Sequence, residues 1–140
     1  PHTAVLDICK WGTDDGDQKM KSRYYPHIDK AKVFGDHYVR DFSEHSRGVA
    51  VDVSLLYAKT GKPVDMGGHH DLLDPSSTTD STLVTPSQRR NRMILKTAFE
   101  KQGFANYAPE WWHYRLLNEP EPTLHYYFPV WDGMTSAGRP

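Results

Sequence analysis

Apolar positions along the chain follow two rhythms. At the start, Ala4, Val5, Ile8 and Cys9 recur at helical spacing, which predicts a short amphipathic helix over residues 2–11. An acidic, glycine-containing loop runs from Gly12 to Gln18, and Pro26 favours an extended or turn conformation at Tyr25. Residues 30–42 mix charged and aromatic side chains without a period and read mostly as loop. From Gly48 the period becomes two. Val49, Val51 and Val53 alternate with Ala50, Asp52 and Ser54, and Leu55, Leu56 and Tyr57 extend the run, which predicts a strand. Its valines face the core, and Asp52 points the other way.

Lys59 to Pro63 is a turn, and residues 65–86 form a long region rich in Gly, Asp, Ser and Thr. A loop of that length in a compact domain is more often functional than idle. Pro86-Ser87 opens a helix with Ser87 as N-cap, an apolar stripe of Ile94, Leu95, Ala98 and Phe99, and Gly103 as its stop. The basic "QRRNR" on it reads as a solvated face. "FANYAPEWWHYRLL", Phe104 to Leu117, reads as a second strand, and "LHYYFPVW", among prolines 120, 122 and 129, as an edge strand. The order helix, strand, loop, helix, strand gives an α+β class with a small, mostly antiparallel sheet flanked by helices.

At 140 residues the chain reads as a single domain spanning 1–140, long enough to bury a core. With a net charge of −1, nothing asks for nucleic acid or an anionic membrane as partner. No apolar run approaches the about 20 residues that span a bilayer. Cys9 is the single cysteine, so no internal disulfide holds the fold, which suits a reducing compartment. It is expected to be a small buried hydrophobe. The start at Pro1 reads as processed or truncated.

The residues that point to chemistry are His45, Asp52, Glu110 and His113. A catalytic zinc takes three ligands from His and carboxylate and keeps a fourth position open, which His45, Asp52 and His113 would satisfy. Glu110 then supplies a base. Residues three apart on a regular strand point to opposite faces, so Glu110 and His113 converge only if the strand is bulged or Glu110 lies just before it. The plain alternative stands beside this: a loop histidine, a solvent-facing strand aspartate and a surface glutamate. His69-His70 is a rival ligand pair, although adjacent histidines in a glycine loop usually diverge. Glycine-rich nucleotide loops and nucleophile-elbow patterns are absent from the sequence.

"SEHSRGVAVD" together with "EWWHY" resembles the D-alanyl-D-alanine dipeptidases of the vancomycin-resistance type. These belong to the zinc peptidases that include D-Ala-D-Ala carboxypeptidases, lysostaphin-like enzymes and the hedgehog fold. Ser43, His45, Gly48, Ala50 and Asp52 match the pattern Ser-x-His-x-x-Gly-x-Ala-x-Asp, and Glu110 and His113 match Glu-x-x-His. "YYPHID", "TGKPVDMG" and Asp71 agree with the same family, and the resemblance covers about residues 1–130. It implies a hedgehog/D-Ala-D-Ala metallopeptidase-like fold and one zinc per chain, held by His45, Asp52 and His113. It further implies that Glu110 is the general base, that Asp71 pairs with the amino group of a small dipeptide substrate, and that Ser43 contacts that substrate. Trp111 and Trp112 are expected as walls and core, Arg47 and His125 as structural residues. A cytoplasmic site suits the dipeptidases and a periplasmic one their siblings, which cut longer peptidoglycan peptides.

The family carries a further N-terminal segment ending in Trp-Asp-Gly-Tyr-Arg-Pro, whose arginine stabilises the oxyanion. The start of this chain resembles the family's sequence just past that arginine, while residues 131–140, "WDGMTSAGRP", place similar letters at the other end. Three readings stand: a fragment, a second chain or segment that completes the sheet, or a rearranged order in which Arg139 takes the arginine's role. An unfilled gap would leave an exposed sheet edge that invites pairing. The departure leaves room for a zinc-binding domain that has lost turnover.

Overall fold

A computed structural model describes residues 1–34 and 42–129 of the protein. Its centre is a three-stranded antiparallel sheet of β1 (Ala50–Asp52), β2 (Phe104–Asn106) and β3 (His113–Leu116), in the order β1-β3-β2. Around it lie α1 (His2–Gly12), the short turns α2 (Lys21–Tyr24) and α3 (Lys30–Lys32), and the long helix α4 (Pro86–Glu100). The α+β class expected from the sequence is the one observed.

Register explains how the sheet separates packing from chemistry. Val51 pairs with Tyr114 and Asp52 with His113, so strand alternation puts these two pairs on opposite faces. Tyr114 is buried in a core with Met66, Leu95, Trp111 and Trp112, against which Val53, Leu55, Val64, Phe99 and Phe104 pack. The valine face is thus the core face, although Val51 stays 39 % exposed because β1 is an edge strand. The ladder on β1 is shorter than its apolar run. Beyond Val53 the chain folds into a tight hairpin in which Val64 N–H donates to the Leu55 carbonyl and Tyr57 N–H to the Lys62 carbonyl.

The single strand expected over Phe104 to Leu117 is two strands with a turn between. Asn106 Nδ2 donates to the carbonyls of Glu110 (3.1 Å) and His113 (3.0 Å), and Tyr107 N–H donates to the His113 carbonyl. The side-chain amide closes a turn that aromatic periodicity alone does not signal.

Helix α4 begins slightly earlier than expected. Thr85, not Ser87, is its N-cap: Thr85 Oγ1 accepts from Gln88 N–H and Gln88 Oε1 accepts from Thr85 N–H, a reciprocal capping box with Pro86 at the first helical position. The predicted stripe also rotates. Leu95 is buried and Phe99 partly so, while Ile94 and Ala98 are exposed. In their place the helix buries Arg92, within the "RRNR" expected to be solvated. Arg92 Nε donates to the Met66 carbonyl (2.6 Å), and Nη1 to those of Ser76 (2.7 Å) and Thr78 (2.9 Å). Desolvation lowers its pKa to about 10, so it keeps its charge at neutral pH. The long loop turns its carbonyls inward, and a guanidinium fork satisfies three of them at once.

Helix α1 packs through Trp11, whose ring meets Tyr25 and Phe34 edge-on at 5.7 Å each. Ala4 and Ile8 of the predicted stripe are exposed, and Cys9 is only partly buried. The Lys30 ammonium lies 4.0 Å over the Trp11 ring and donates to the Asp14 and Asp17 carbonyls. Among the described residues, the stretch expected as an edge strand from Leu124 makes no ladder. It runs as a strap: Tyr126 N–H donates to the Ser46 carbonyl, His2 N–H to the Tyr126 carbonyl, and Thr3 Oγ1 to the Phe128 carbonyl. The prolines around it remove donors that a ladder needs. No helix among the described residues is long and apolar enough to cross a membrane.

Candidate metal centre

On the face of the sheet away from the core, Asp52 and His113 stand opposite each other. The third residue arrives from a 3-10 turn over Glu44–Arg47. Ser43 caps that turn, its Oγ accepting from His45 N–H (3.2 Å), and Gly48 ends it with φ of 73°, a conformation side chains resist. The turn brings the His45 ring to the end of β1, beside Asp52 and His113. Glu110 lies in the turn before β3, three residues ahead of His113, so no bulge is required for the two to converge.

The donor atoms form a small triangle. His45 Nε2 lies 3.1 Å from His113 Nδ1 and 3.4 Å from Asp52 Oδ1, and His113 Nδ1 lies 3.2 Å from Asp52 Oδ1. Metal bonds of about 2.0–2.2 Å at tetrahedral angles put donor atoms about 3.3–3.6 Å apart. Two imidazole nitrogens and a carboxylate oxygen converge within about 0.2 Å of that spacing, so they fit one small divalent cation. Among the described residues, this is the group that geometry singles out as able to hold a metal. Glu110 Oε2 is 3.7 Å from His113 Nδ1, beside the triangle.

The charges respond to this crowding. Burial works to raise the Asp52 carboxyl, but hydrogen bonds from His113 and His45 and their charge outweigh it and hold it well below the usual carboxylate range. Burial works to lower His113, and the Asp52 hydrogen bond and charge, with Glu110 and Glu44, lift it instead. Glu110 is pushed up to about 7, first by burial and then by the neighbouring charges of Asp52 and Asp71 against the pull of His113 and His45. Asp71 is raised too, by burial and by Asp52, with His70, His69 and His45 opposing. Asp71 therefore sits within electrostatic reach of the triangle, on a strained backbone with φ of 61°.

His69 and His70 diverge. His69 Nδ1 faces the His70 carbonyl (2.5 Å) and Nε2 the Arg23 carbonyl (2.9 Å). The His70 ring lies against Trp111 and Trp112. Both tryptophans are core residues at 1 % exposure. Arg47 pairs with Glu119 through Nε to Oε1 and through Nη2 to Oε2 at 3.0 Å. His125 Nδ1 lies 2.7 Å from Ser46 Oγ, whose own hydrogen goes to the Ser43 carbonyl, so His125 is the donor there. Arg139 lies outside the described residues, as does the rest of 131–140. One residue that sequence reasoning passed over is Glu44, whose Oε2 is 3.6 Å from His113 Nε2. Its adjacency to His45 was the available signal, but a carboxylate in a charged turn is no pointer by itself.

The chain matches the family described as D-ala-D-ala dipeptidase over residues 1–131. It is 42 % identical over 130 residues to a D-alanyl-D-alanine dipeptidase of Streptomyces coelicolor, covering 93 % of this chain and 64 % of that relative. Dipeptidases of the same description from Enterococcus faecalis and Enterococcus faecium are 35 % and 36 % identical over the same extent. The chain spans a little under two thirds of the length of these curated relatives.

Proposed function

The chain belongs to the D-ala-D-ala dipeptidase family, and we propose that it hydrolyses the D-alanyl-D-alanine dipeptide with one zinc held by His45, Asp52 and His113. The observation that carries this reading is the triangle of His45 Nε2, His113 Nδ1 and Asp52 Oδ1, with sides of 3.1–3.4 Å and the Glu110 carboxyl beside it. When bound there, zinc would supply Lewis acidity toward the scissile carbonyl and lower the pKa of water to about 7.

The protein's own residues do the rest. Glu110 takes a proton from the attacking water as its oxygen bonds to the carbonyl carbon. The C–N bond then breaks, and Glu110 returns that proton to the departing amine nitrogen. Its place suits the task, because the carboxyl lies beside the donor triangle, with Oε2 3.7 Å from His113 Nδ1. Asp71 pairs with the substrate ammonium. A carboxylate whose charge is felt at the triangle favours a free amino group near the scissile bond, and so a dipeptide over a longer chain. Ser43 is assigned a substrate contact in addition to its cap. The oxyanion contact is assigned to Arg139 on sequence alone.

The test reads zinc content and free D-alanine on one sample. About one zinc per chain with D-alanine release, lost in Glu110→Ala while zinc stays, supports the proposal. Zinc without release in the unaltered chain supports a metal-binding domain without turnover, and failure to bind zinc overturns the reading of the triangle.

A further inference from the structure

Behind the metal triangle runs a chain of alternating charges that the proposed reaction leaves unused. His113 turns Nδ1 toward His45 and Asp52, so its other nitrogen, Nε2, faces away from the donor triangle. That nitrogen is 3.6 Å from Glu44 Oε2. The other oxygen of Glu44 lies 3.6 Å from Arg47 Nη2, one turn later on the same 3-10 element. Arg47 in turn is held by both oxygens of Glu119, from the segment after β3. Arg47 and Glu119 are both largely shielded from solvent, at 14 % and 16 % side-chain exposure, so this clamp is stiffer than a surface ion pair.

We infer that Glu44 is a positioning residue of the metal site, setting the tautomer and ring orientation of His113, and that Arg47, clamped by Glu119, holds Glu44 in place. A histidine that ligates through Nδ1 must carry its hydrogen on Nε2, and a carboxylate facing Nε2 selects that tautomer. Such partners orient the ring and raise the basicity of the ligand. The 3.6 Å separation is an ion-pair contact, longer than a formed hydrogen bond, and contacts of this kind tighten when a site is loaded. Glu44 stands at a position where the motif Ser-x-His fixes no residue, so the assignment comes from the geometry of this chain and not from the family pattern. An ordinary helix-surface pair between Glu44 and Arg47 would stabilise the fold a little and leave metal affinity alone.

The inference rests on the proposed metal site, and one set of titrations separates the two. Zinc affinity of the full chain is measured by competition with a chromophoric chelator, alongside the visible spectrum of the cobalt-substituted protein and the melting midpoint of the metal-free form. Glu44→Ala should weaken zinc about 10- to 100-fold and shift the cobalt bands. Glu44→Gln keeps an acceptor for Nε2–H and should recover part of that loss. Glu119→Gln, acting through Arg47, should weaken zinc by less than Glu44→Ala. The metal-free midpoint should move little in the two Glu44 variants. If Glu44→Ala binds zinc within about twofold of the unaltered chain with unchanged cobalt bands, the inference is wrong and the metal site survives. A fall in the metal-free midpoint that accounts for the whole loss of affinity overturns it equally, by making Glu44 a residue of the fold. An unaltered chain that binds neither metal overturns both.

Discussion

Asp52 Oδ1 and His113 Nδ1 lie 3.2 Å apart because Asp52 and His113 are register partners on neighbouring antiparallel strands. Cross-strand partners are near neighbours by construction, so this half of the candidate donor set is built into the sheet itself. Asp52→Asn keeps the shape and removes the anionic donor. It should cost more zinc affinity than the about 10- to 100-fold of a supporting residue, with the fold retained by circular dichroism. Undiminished zinc binding in this variant would remove Asp52 from the donor set.

Glu110→Gln separates chemistry from binding. The amide retains the bulk of the side chain in its buried turn and cannot accept the proton. D-alanine release should fall about 10²- to 10⁴-fold while zinc stoichiometry is unchanged. Release at near the original rate would require a different base.

The metal-free protein should lose stability as pH rises through neutrality. Glu110 is raised to about 7 and His113 is raised above its ordinary value, so both favour the proton-bound form in the fold. Each contribution is fully present below the unfolded-state value and is lost as pH climbs past the folded value. Asp52 is depressed and stays ionised throughout this window, so it does not compensate. With a chelator present, the melting midpoint should fall between about pH 5 and pH 8, and Glu110→Gln should flatten part of the slope. Zinc affinity should rise over the same window, because the ligands shed protons as they bind. A midpoint that rises with pH in the metal-free form would contradict this account.

Arg92→Met removes a fork that serves three carbonyls. Each buried acceptor left without a partner costs about 1–3 kcal/mol, so the loss should exceed about 3 kcal/mol in a denaturant titration. Lysine should not restore it, since an ammonium lacks the fixed fork. Because the carbonyls of Met66, Ser76 and Thr78 bracket Asp71 in sequence, any variant that still folds should show a raised KM for the dipeptide. A near-neutral change would mean that water replaces the guanidinium without penalty.

Asp71→Asn tests the amino-group assignment directly. The variant should raise KM for D-alanyl-D-alanine and narrow the preference over an N-blocked analogue, with zinc binding intact. Unchanged cleavage of the dipeptide would move the substrate ammonium elsewhere.

By itself the sequence determined the class and the alternation of Val49, Val51 and Val53 with Ala50 and Asp52, and the resemblance of its motifs picked out the residues of the candidate metal triangle. These are encoded locally: alternation fixes which face Asp52 takes, and Glu110 falls before the strand, with Pro109 ahead of it and two tryptophans between it and His113. What only the tertiary structure decided depends on partners far away in the chain. Arg92 looked like one of several basic residues on a helix, and nothing near it announces that the Met66, Ser76 and Thr78 carbonyls turn inward to meet it. Ile94 and Ala98 carry the right letters for a buried stripe, but the helix rotates to serve Arg92 and leaves them exposed. The tail carries strand-forming residues, yet it became a strap because its hydrogen bonds go to Ser46 and to the first turn of α1. Glu44 is visible only from His113, far along the chain, whose second nitrogen faces it. Periodicity reports a residue's face; it does not report which buried group across the fold needs a charge.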